Sequence, residues 1–113
     1  HAGEEGLFGE EDEKILKAIQ KSNQTLGFEC FLGPLPADSA FAPNKRKITP
    51  FYVSMSHDVG LAPLKALYFD ESINVSLNAP ILRASTDHGT AFDIAYQNKA
   101  NNKSYLNAIK YLA

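Results

Sequence analysis

Ile73-Asn74-Val75-Ser76-Leu77 alternates apolar and polar residues along its whole length. Period-two alternation marks a half-buried strand. Pro80 ends the pattern, because proline removes a backbone donor and fixes φ. Upstream, Pro63 suits the first turn of a short helix that runs to about Phe69. Before it, residues 48–55 read as a second, buried strand, interrupted early by Pro50. A loop over residues 56–61 follows the C-terminal end of that strand, where open α/β sheets gather their ligands. Downstream, a helical stretch is expected near residues 90–96. Asn101 or Asn102 can cap a last helix that puts Tyr105, Leu106, Ile109 and Leu112 on its buried face. Strands alternate with helices, so the fold class is α/β.

The N-terminal part begins with a Gly-rich, acidic loop over residues 1–9. Residues 10–26 read as a helix, with Ile15, Leu16 and Ile19 on one apolar stripe. Glu10 to Glu13 crowd its start and Lys14, Lys17 and Lys21 come later, an order that complements the helix dipole. Gly27 is a suitable stop. Residues 28–32 form a short strand candidate, in which Cys30 is expected as a small buried residue rather than a nucleophile. Gly33-Pro34-Leu35-Pro36-Ala37-Asp38 must be a loop, because its prolines cannot donate to a ladder.

The chain has 113 residues, 44% hydrophobic and 21% charged, which suits a globular domain or a piece of a larger one and not a disordered chain. Net charge is -2 and the sequence pI about 5.9. Lys45-Arg46-Lys47 is a lone basic cluster and reads as a solvated loop, so nucleic acid is not an expected partner. No apolar run approaches the roughly 20 residues that span a bilayer, and no signal-peptide pattern is present. The single Cys30 cannot make an internal disulfide, which fits a reducing cytoplasm. The chain opens on His1 rather than Met, which reads as a fragment, a cleaved product or a window on something longer.

Three short segments carry chemistry. His57 follows an apolar run, in Met55-Ser56-His57-Asp58-Val59-Gly60-Leu61, with Lys65 and Arg83 beyond it. His1 opens His1-Ala2-Gly3-Glu4, and His88 lies in Asp87-His88-Gly89-Thr90-Ala91. Neutral imidazole is a ligand for divalent metals, and a Lys with an Arg clamps phosphate. Each residue also has a plainer reading. His1 and His57 are too far apart for a local zinc-finger spacing. Glu4 and Asp58 either orient the imidazoles or are solvated loop acids. Asn74 bonds a ligand or faces water, and Arg83 meets a substrate phosphate or a structural Asp. Asp38 is compatible with a simple turn former. Composition and spacing alone support an α/β domain with a candidate metal and anion site, and little more.

Taken together, the segments resemble the 4-hydroxythreonine-4-phosphate dehydrogenase family. His1-Ala2-Gly3-Glu4 is similar to the end of its Asn-Pro-His-Ala-Gly-Glu motif. Gly33-Pro34-Leu35-Pro36-Ala37-Asp38 matches its Gly-Pro-Leu-Pro-Ala-Asp loop. The stretch from His57 to Lys65 resembles its His-Asp-Gln-Gly-Leu-Pro-x-x-Lys, with Val59 and Ala62 replacing Gln and Pro. Asn74, Arg83 and the segment from Ser85 to Ala91 follow in order and register. Residues 98–103 depart from the family's more Gly-containing loop. His88-Gly89-Thr90-Ala91 also resembles a loop near the cofactor adenosine in the wider superfamily of isocitrate and isopropylmalate dehydrogenases.

The resemblance implies part of a two-domain α/β/α fold. Residues 1–70 would belong to a metal-binding and dimer-forming domain, and residues 71–113 would return to the cofactor-binding domain. It implies a cytoplasmic homodimer with shared active sites, using NAD or NADP and a divalent metal (zinc, magnesium, manganese or cobalt). His1 and His57 would bind the metal. Lys65, Asn74 and Arg83 would bind the phosphorylated substrate. Asp38 and Lys65 would serve the reacting centre, and Asp87, His88, Gly89, Thr90 and Ala91 the cofactor. The implied reaction oxidises 4-phosphohydroxy-L-threonine to 2-amino-3-oxo-4-phosphobutanoate, which decarboxylates to 3-amino-2-oxopropyl phosphate, in pyridoxal 5'-phosphate synthesis. The chain corresponds to about the C-terminal third of such an enzyme, so by itself it is expected to be inactive. Two rivals remain: a dehydrogenase of another phosphorylated hydroxy acid, such as phosphothreonate, and a non-catalytic anion-binding module.

Overall fold

The computed structural model describes residues 3–113. These form two compact units, one ending at Ser54 and the other spanning Met55–Ala113. The division at residue 70 expected from the resemblance concerns the domains of a longer protein and is taken up below.

The first unit is built on helix α1, Glu11–Leu26. Glu11, Asp12 and Glu13 occupy its first turn, as the dipole favours, but its last turn holds no basic residue. Gly27 ends it in the left-handed region at φ 78°, its N–H donating to the Asn23 carbonyl at 2.9 Å. Asp12 does more than favour the dipole. Its carboxylate accepts from the backbone N–H of Gly3 at 2.6 Å and of Gly6 at 2.9 Å, folding the acidic loop back onto the helix start. Gly3 lies directly on the Leu35–Pro36 peptide: a Cβ there would stand 2.1 Å from the Leu35 carbonyl carbon. Two motifs far apart in sequence, His1-Ala2-Gly3-Glu4 and Gly33 to Asp38, therefore meet at Gly3. His1 itself lies outside the described residues.

Residues 28–32 are not a strand. The Asn23 side chain satisfies their backbone in place of a neighbouring strand. Its Oδ1 accepts from Cys30 N–H at 3.0 Å and Phe31 N–H at 2.9 Å, and its Nδ2 donates to the Phe31 carbonyl at 2.9 Å. Cys30 is exposed, not buried. The loop from Gly33 contains a cis Gly33–Pro34 bond and ends at Pro36, where the short helix α2, Ala37–Ala40, begins and carries Asp38. Helix α3, Pro43–Arg46, follows, with Arg46 Nε donating to the Phe41 carbonyl at 3.0 Å. The basic triplet thus lies partly on a helix. Residues 48–55 form no strand, and Ile48, Phe51, Val53 and Met55 are exposed. A strand buried on both faces needs neighbours to pair its backbone, and the described residues offer none.

In the second unit, helix α4 spans His57–Tyr68 and takes in the residues expected as a loop. Extended Ser56 stands at its N-cap position, and Asp58 adds a favourable first-turn charge. Pro63 sits inside the helix rather than in its first turn, withdrawing one backbone bond that Leu61, Ala62, Leu64 and Ala66 outweigh as helix formers. Strands β1, Ile73–Ser76, and β2, Arg83–Thr86, pair antiparallel with Ile73 opposite Thr86 and Ser76 opposite Arg83. β2 was not expected. This register puts Asn74, Ser76, Arg83 and Ser85 on one face and Ile73, Val75, Ala84 and Thr86 on the other. A single 3-10 turn, Phe92–Ile94, replaces the helix expected near residues 90–96, because Ala91 and Tyr96 on either side adopt positive φ.

Helix α5, Lys103–Leu112, packs on both strands. The Asn101 side chain accepts from Lys103 N–H at 2.9 Å. Its buried face differs from the expected one: Ser104 and Ala108 are 4% and 5% exposed, whereas Tyr105 is 58% exposed and Leu106, Ile109 and Leu112 are also exposed. Small side chains one turn apart let the helix backbone come close to the hairpin. Among the described residues the buried apolar side chains are only Ala40 and Ala108.

Two expectations follow. Asn23→Ala will strip the Cys30 and Phe31 amides of protection in hydrogen exchange while α1 stays protected; unchanged protection would disprove the role given to Asn23. The two N–H donors of Gly3 and Gly6 hold the Asp12 carboxyl below its ordinary 3.8, against a smaller opposing effect of desolvation. A lowered carboxyl stabilises the folded loop above its ordinary value and loses that effect as pH falls through the depressed one. The Gly3 and Gly6 amide shifts in NMR will therefore titrate with a midpoint below 3.8, and a midpoint at or above it would disprove the two bonds.

Candidate functional site

The site is assembled from the end of α4, the start of β1 and the segment leaving β2. Lys65 and Phe69 are one helical turn apart, so both side chains point to one side of α4. Lys65 Nζ stands 5.5 Å from the Phe69 ring centre, within range of a cation–π contact. Tight turn bonds, Glu71 N–H and Ser72 N–H to the Tyr68 carbonyl at 3.0 and 3.1 Å, bring the chain round into β1 and Asn74. Thr86 ends β2, and Asp87, His88 and Gly89 continue from it. Lys65, Phe69, Asn74, Thr86, Asp87, His88 and Gly89 line one open hollow of about 440 Å³.

A Lys–Asp pair dominates the electrostatics. Lys65 Nζ lies 3.1 Å from Asp87 Oδ2, with side chains 26% and 16% exposed. Asp87 Oδ2 and the Ser72 Oγ beside it are both buried. Burial by itself would raise the Asp87 carboxyl, but the Ser72 hydroxyl, the Lys65 ammonium and His88 together hold it below its ordinary value. Asp87 is fixed from behind. Its N–H donates to Ser104 Oγ at 3.3 Å, and the Ser104 hydroxyl donates to the Ser72 carbonyl at 2.6 Å. Asn107 Nδ2 adds a bond to the Glu71 carbonyl at 2.9 Å, and Lys103 pairs with Glu71.

Of the residues singled out in the sequence, Lys65, Asn74, Asp87, His88 and Gly89 are brought together. Thr90 and Ala91 follow in the chain without lining the hollow. Arg83 shares the Asn74 face of the hairpin but lies at its far end, where Nη1 donates to Ser76 Oγ at 3.3 Å. His57 begins α4, about 12 Å along the helix from Lys65. Its Nδ1 is 2.8 Å from Asp58 Oδ1, which leaves Nε2 as the nitrogen able to ligate. Among the described residues no three His, Cys, Asp or Glu side chains are grouped to hold a metal ion. Asp38 is exposed on α2 in the first unit. Sequence reasoning missed Phe69, which the four-residue spacing from Lys65 could have revealed. It also missed Ser72 and Ser104, which carry no sequence signal.

Ser104 has the most to lose on substitution. Ser104→Ala leaves the buried Ser72 carbonyl without its partner, a loss of about 1–3 kcal/mol, and frees the half-buried Asp87 N–H from a longer bond. Denaturant unfolding will show a fall in this range, and a change under about 0.5 kcal/mol would contradict the burial argument.

The family described as pyridoxal phosphate biosynthetic protein PdxA matches residues 1–112. A Helicobacter pylori (strain ATCC 700392 / 26695) relative, named 4-hydroxythreonine-4-phosphate dehydrogenase, is 98% identical over 113 residues, covering 100% of this chain and 37% of the relative. A Sulfurimonas denitrificans relative of the same name is 60% identical over 110 residues, covering 97% of this chain and 36% of the relative. A solved structure from Salmonella typhimurium, described under that enzyme name, is 41% identical with a TM-score of 0.71, covering 98% of this chain and 34% of that one. This chain thus spans little more than a third of the length of its curated relatives. Helices about a strand pair agree with the expected α/β class, and the match across nearly all residues places the chain in the PdxA family of pyridoxal phosphate biosynthetic proteins.

Proposed function

We propose that this chain supplies part of the active site of an NAD(P)- and divalent-metal-dependent dehydrogenase. Its substrate is 4-phosphohydroxy-L-threonine, oxidised to 2-amino-3-oxo-4-phosphobutanoate, which then loses carbon dioxide to give 3-amino-2-oxopropyl phosphate for pyridoxal 5'-phosphate synthesis. One observation carries the reading. A Lys ammonium and an Asn amide converge on the same hollow as the Asp87-His88-Gly89 segment. The relatives named 4-hydroxythreonine-4-phosphate dehydrogenase supply the substrate class.

In this reading Lys65 and Asn74 hold the phosphorylated substrate by donated N–H groups. Arg83 is a third substrate ligand in this reading; it shares the hairpin face of Asn74 but lies at its far end, bonded to Ser76. As an ammonium Lys65 also assists loss of the alcohol proton by stabilising the negative charge that develops on the oxygen, and Asp38 serves the reacting centre by its place in the Gly33–Asp38 motif. The segment of Asp87, His88, Gly89, Thr90 and Ala91 lies along the cofactor. The exposure of His88 to Ala91 and the open space around Gly89, with no atom within 4 Å of where a Cβ would stand, suit the close approach of a ligand. The nicotinamide cofactor supplies the hydride acceptor.

His57 fits one metal ligand. Asp58 holds its Nδ1 side, as carboxylates do behind metal-bound imidazoles. Further ligands come from beyond the described residues, His1 among them. A bound divalent metal (zinc, magnesium, manganese or cobalt) supplies Lewis acidity that makes an alcohol easier to deprotonate. The wider assembly we propose is a cytoplasmic homodimer with shared sites and a two-domain α/β/α fold like the isocitrate and isopropylmalate dehydrogenases. Residues 1–70 belong to its metal-binding and dimer-forming domain and residues 71–113 to its cofactor domain. Among the described residues no helix is long and apolar enough to cross a membrane.

The test uses the full-length enzyme with metal, NAD and 4-phosphohydroxy-L-threonine. Lys65→Met will lower turnover by roughly 10²-fold or more while metal still binds. Near-normal turnover in this variant would sink the role given to Lys65. Faster turnover of phosphothreonate by the unaltered enzyme would replace the substrate and keep the chemistry.

A further inference from the structure

We propose that Asp87 is a positioning residue for Lys65: its carboxylate, carried on a backbone N–H anchored through Ser104 to Ser72, holds the ammonium at the hollow and offsets its charge. The proposal rests on the reading of Lys65 as a ligand for the substrate's anion. It moves the Asp87 carboxylate from the cofactor to the substrate side of the site, while His88 to Ala91 keep their place along the cofactor.

A lysine ammonium ends a flexible four-carbon stem, so a half-solvated lysine is poorly positioned unless something selects one arrangement. Two groups do so here. Phe69 lies beneath the charge at 5.5 Å and Asp87 Oδ2 meets it at 3.1 Å. Asp87 can serve as the fixed point because its own backbone is tied down. Its N–H reaches Ser104 Oγ, and that hydroxyl reaches the Ser72 carbonyl, a buried bond at 2.6 Å. The geometry of the pair matters as much as its distance. Asp87 Oδ2 meets the Lys65 ammonium at a single contact, and an ammonium carries three N–H donors. The carboxylate therefore occupies at most one N–H donor and leaves the others. Lys65 keeps those donors for an incoming acceptor, and the neighbouring Asn74 amide stands in the same hollow to share it.

The charge balance has a measurable consequence. With Asp87 ionised, an anion is held by directed donors and not by an excess of positive charge. Removing the carboxylate charge leaves the hollow more positive and the ammonium loose. Simple anions then bind more tightly while the reacting geometry deteriorates. A purely structural Asp87 would lower stability, or affinity and turnover together. The split between tighter binding and slower turnover belongs to positioning.

The experiment compares the full-length enzyme with its Asp87→Asn variant. Inorganic phosphate, titrated by calorimetry, is expected to bind the variant roughly two- to fivefold more tightly. Turnover of 4-phosphohydroxy-L-threonine is expected to fall about 10²-fold, since small misplacements of a reacting group cost that much. Unchanged or weaker phosphate binding overturns the proposal, as does turnover within twofold of the unaltered enzyme. Should Asp87→Asn lack a cooperative melt, Asp87→Glu decides. It keeps the charge and moves it, so phosphate affinity should stay within twofold while turnover falls; unaltered turnover refutes the positioning role. An unaltered enzyme that ignores 4-phosphohydroxy-L-threonine would defeat the proposed substrate, and the phosphate titration would still decide the role of Asp87.

Discussion

The second unit depends on one hydroxyl. Ser104, buried in the first turn of α5, donates to the carbonyl of Ser72 and accepts from the N–H of Asp87. Those residues flank the open end of the hairpin, just before Ile73 and just after its partner Thr86. A two-stranded hairpin is marginal in water by itself. Here a helix closes its open end by satisfying two backbone groups that would otherwise lack partners. Ala108, one turn on, is small enough to keep the helix close. The same pair of bonds sets where the chain leaves β2, and so where the Asp87 carboxylate stands relative to Lys65.

The site inherits its character from this arrangement. Its liners come from a helix end, a strand and a loop, and the hairpin register gives the polar residues one face to themselves. Lys65 and Asp87 nearly cancel each other's charge at the hollow. Arg83 stands apart, engaged with Ser76 at the far end of the hairpin. The curated relatives carry nearly two thirds more of their length than this chain spans. The large apolar side chains on α5 and around Phe51 are exposed among the described residues, and longer relatives have further chain with which to cover such faces.

Much of the local structure was legible in the sequence. The acidic start of α1, its end at Gly27, the alternation of β1 and the extent of α5 follow from local rules. Elsewhere the same rules misled for identifiable reasons. Residues 28–32 have strand composition, but their backbone bonds go to the Asn23 side chain. Pro63 suggested a helix start, yet α4 begins at His57 and absorbs it. On α5 the apolar residues pointed to a buried face, whereas the contact is made by Ser104 and Ala108, since close approach to the hairpin rewards small side chains over apolar ones. β2 was missed because Arg83-Ala84-Ser85-Thr86 carries no apolar alternation and exists only by pairing with β1.

For the site, the sequence by itself determined the ingredients: an imidazole beside an acid at His57-Asp58, a lysine on one helix, Asn74 on a strand, the Asp87 to Ala91 segment, and the family to which their order belongs. These are readable because residue type and spacing are local properties. Only the tertiary structure decided which ingredients meet. It joined Lys65 to Asp87 across 22 positions of chain, separated Arg83 from both, and recruited Ser72 and Ser104 to hold the acid in place. Such pairings depend on strand register and on the depth at which a helix packs, and both arise from contacts between residues distant in sequence.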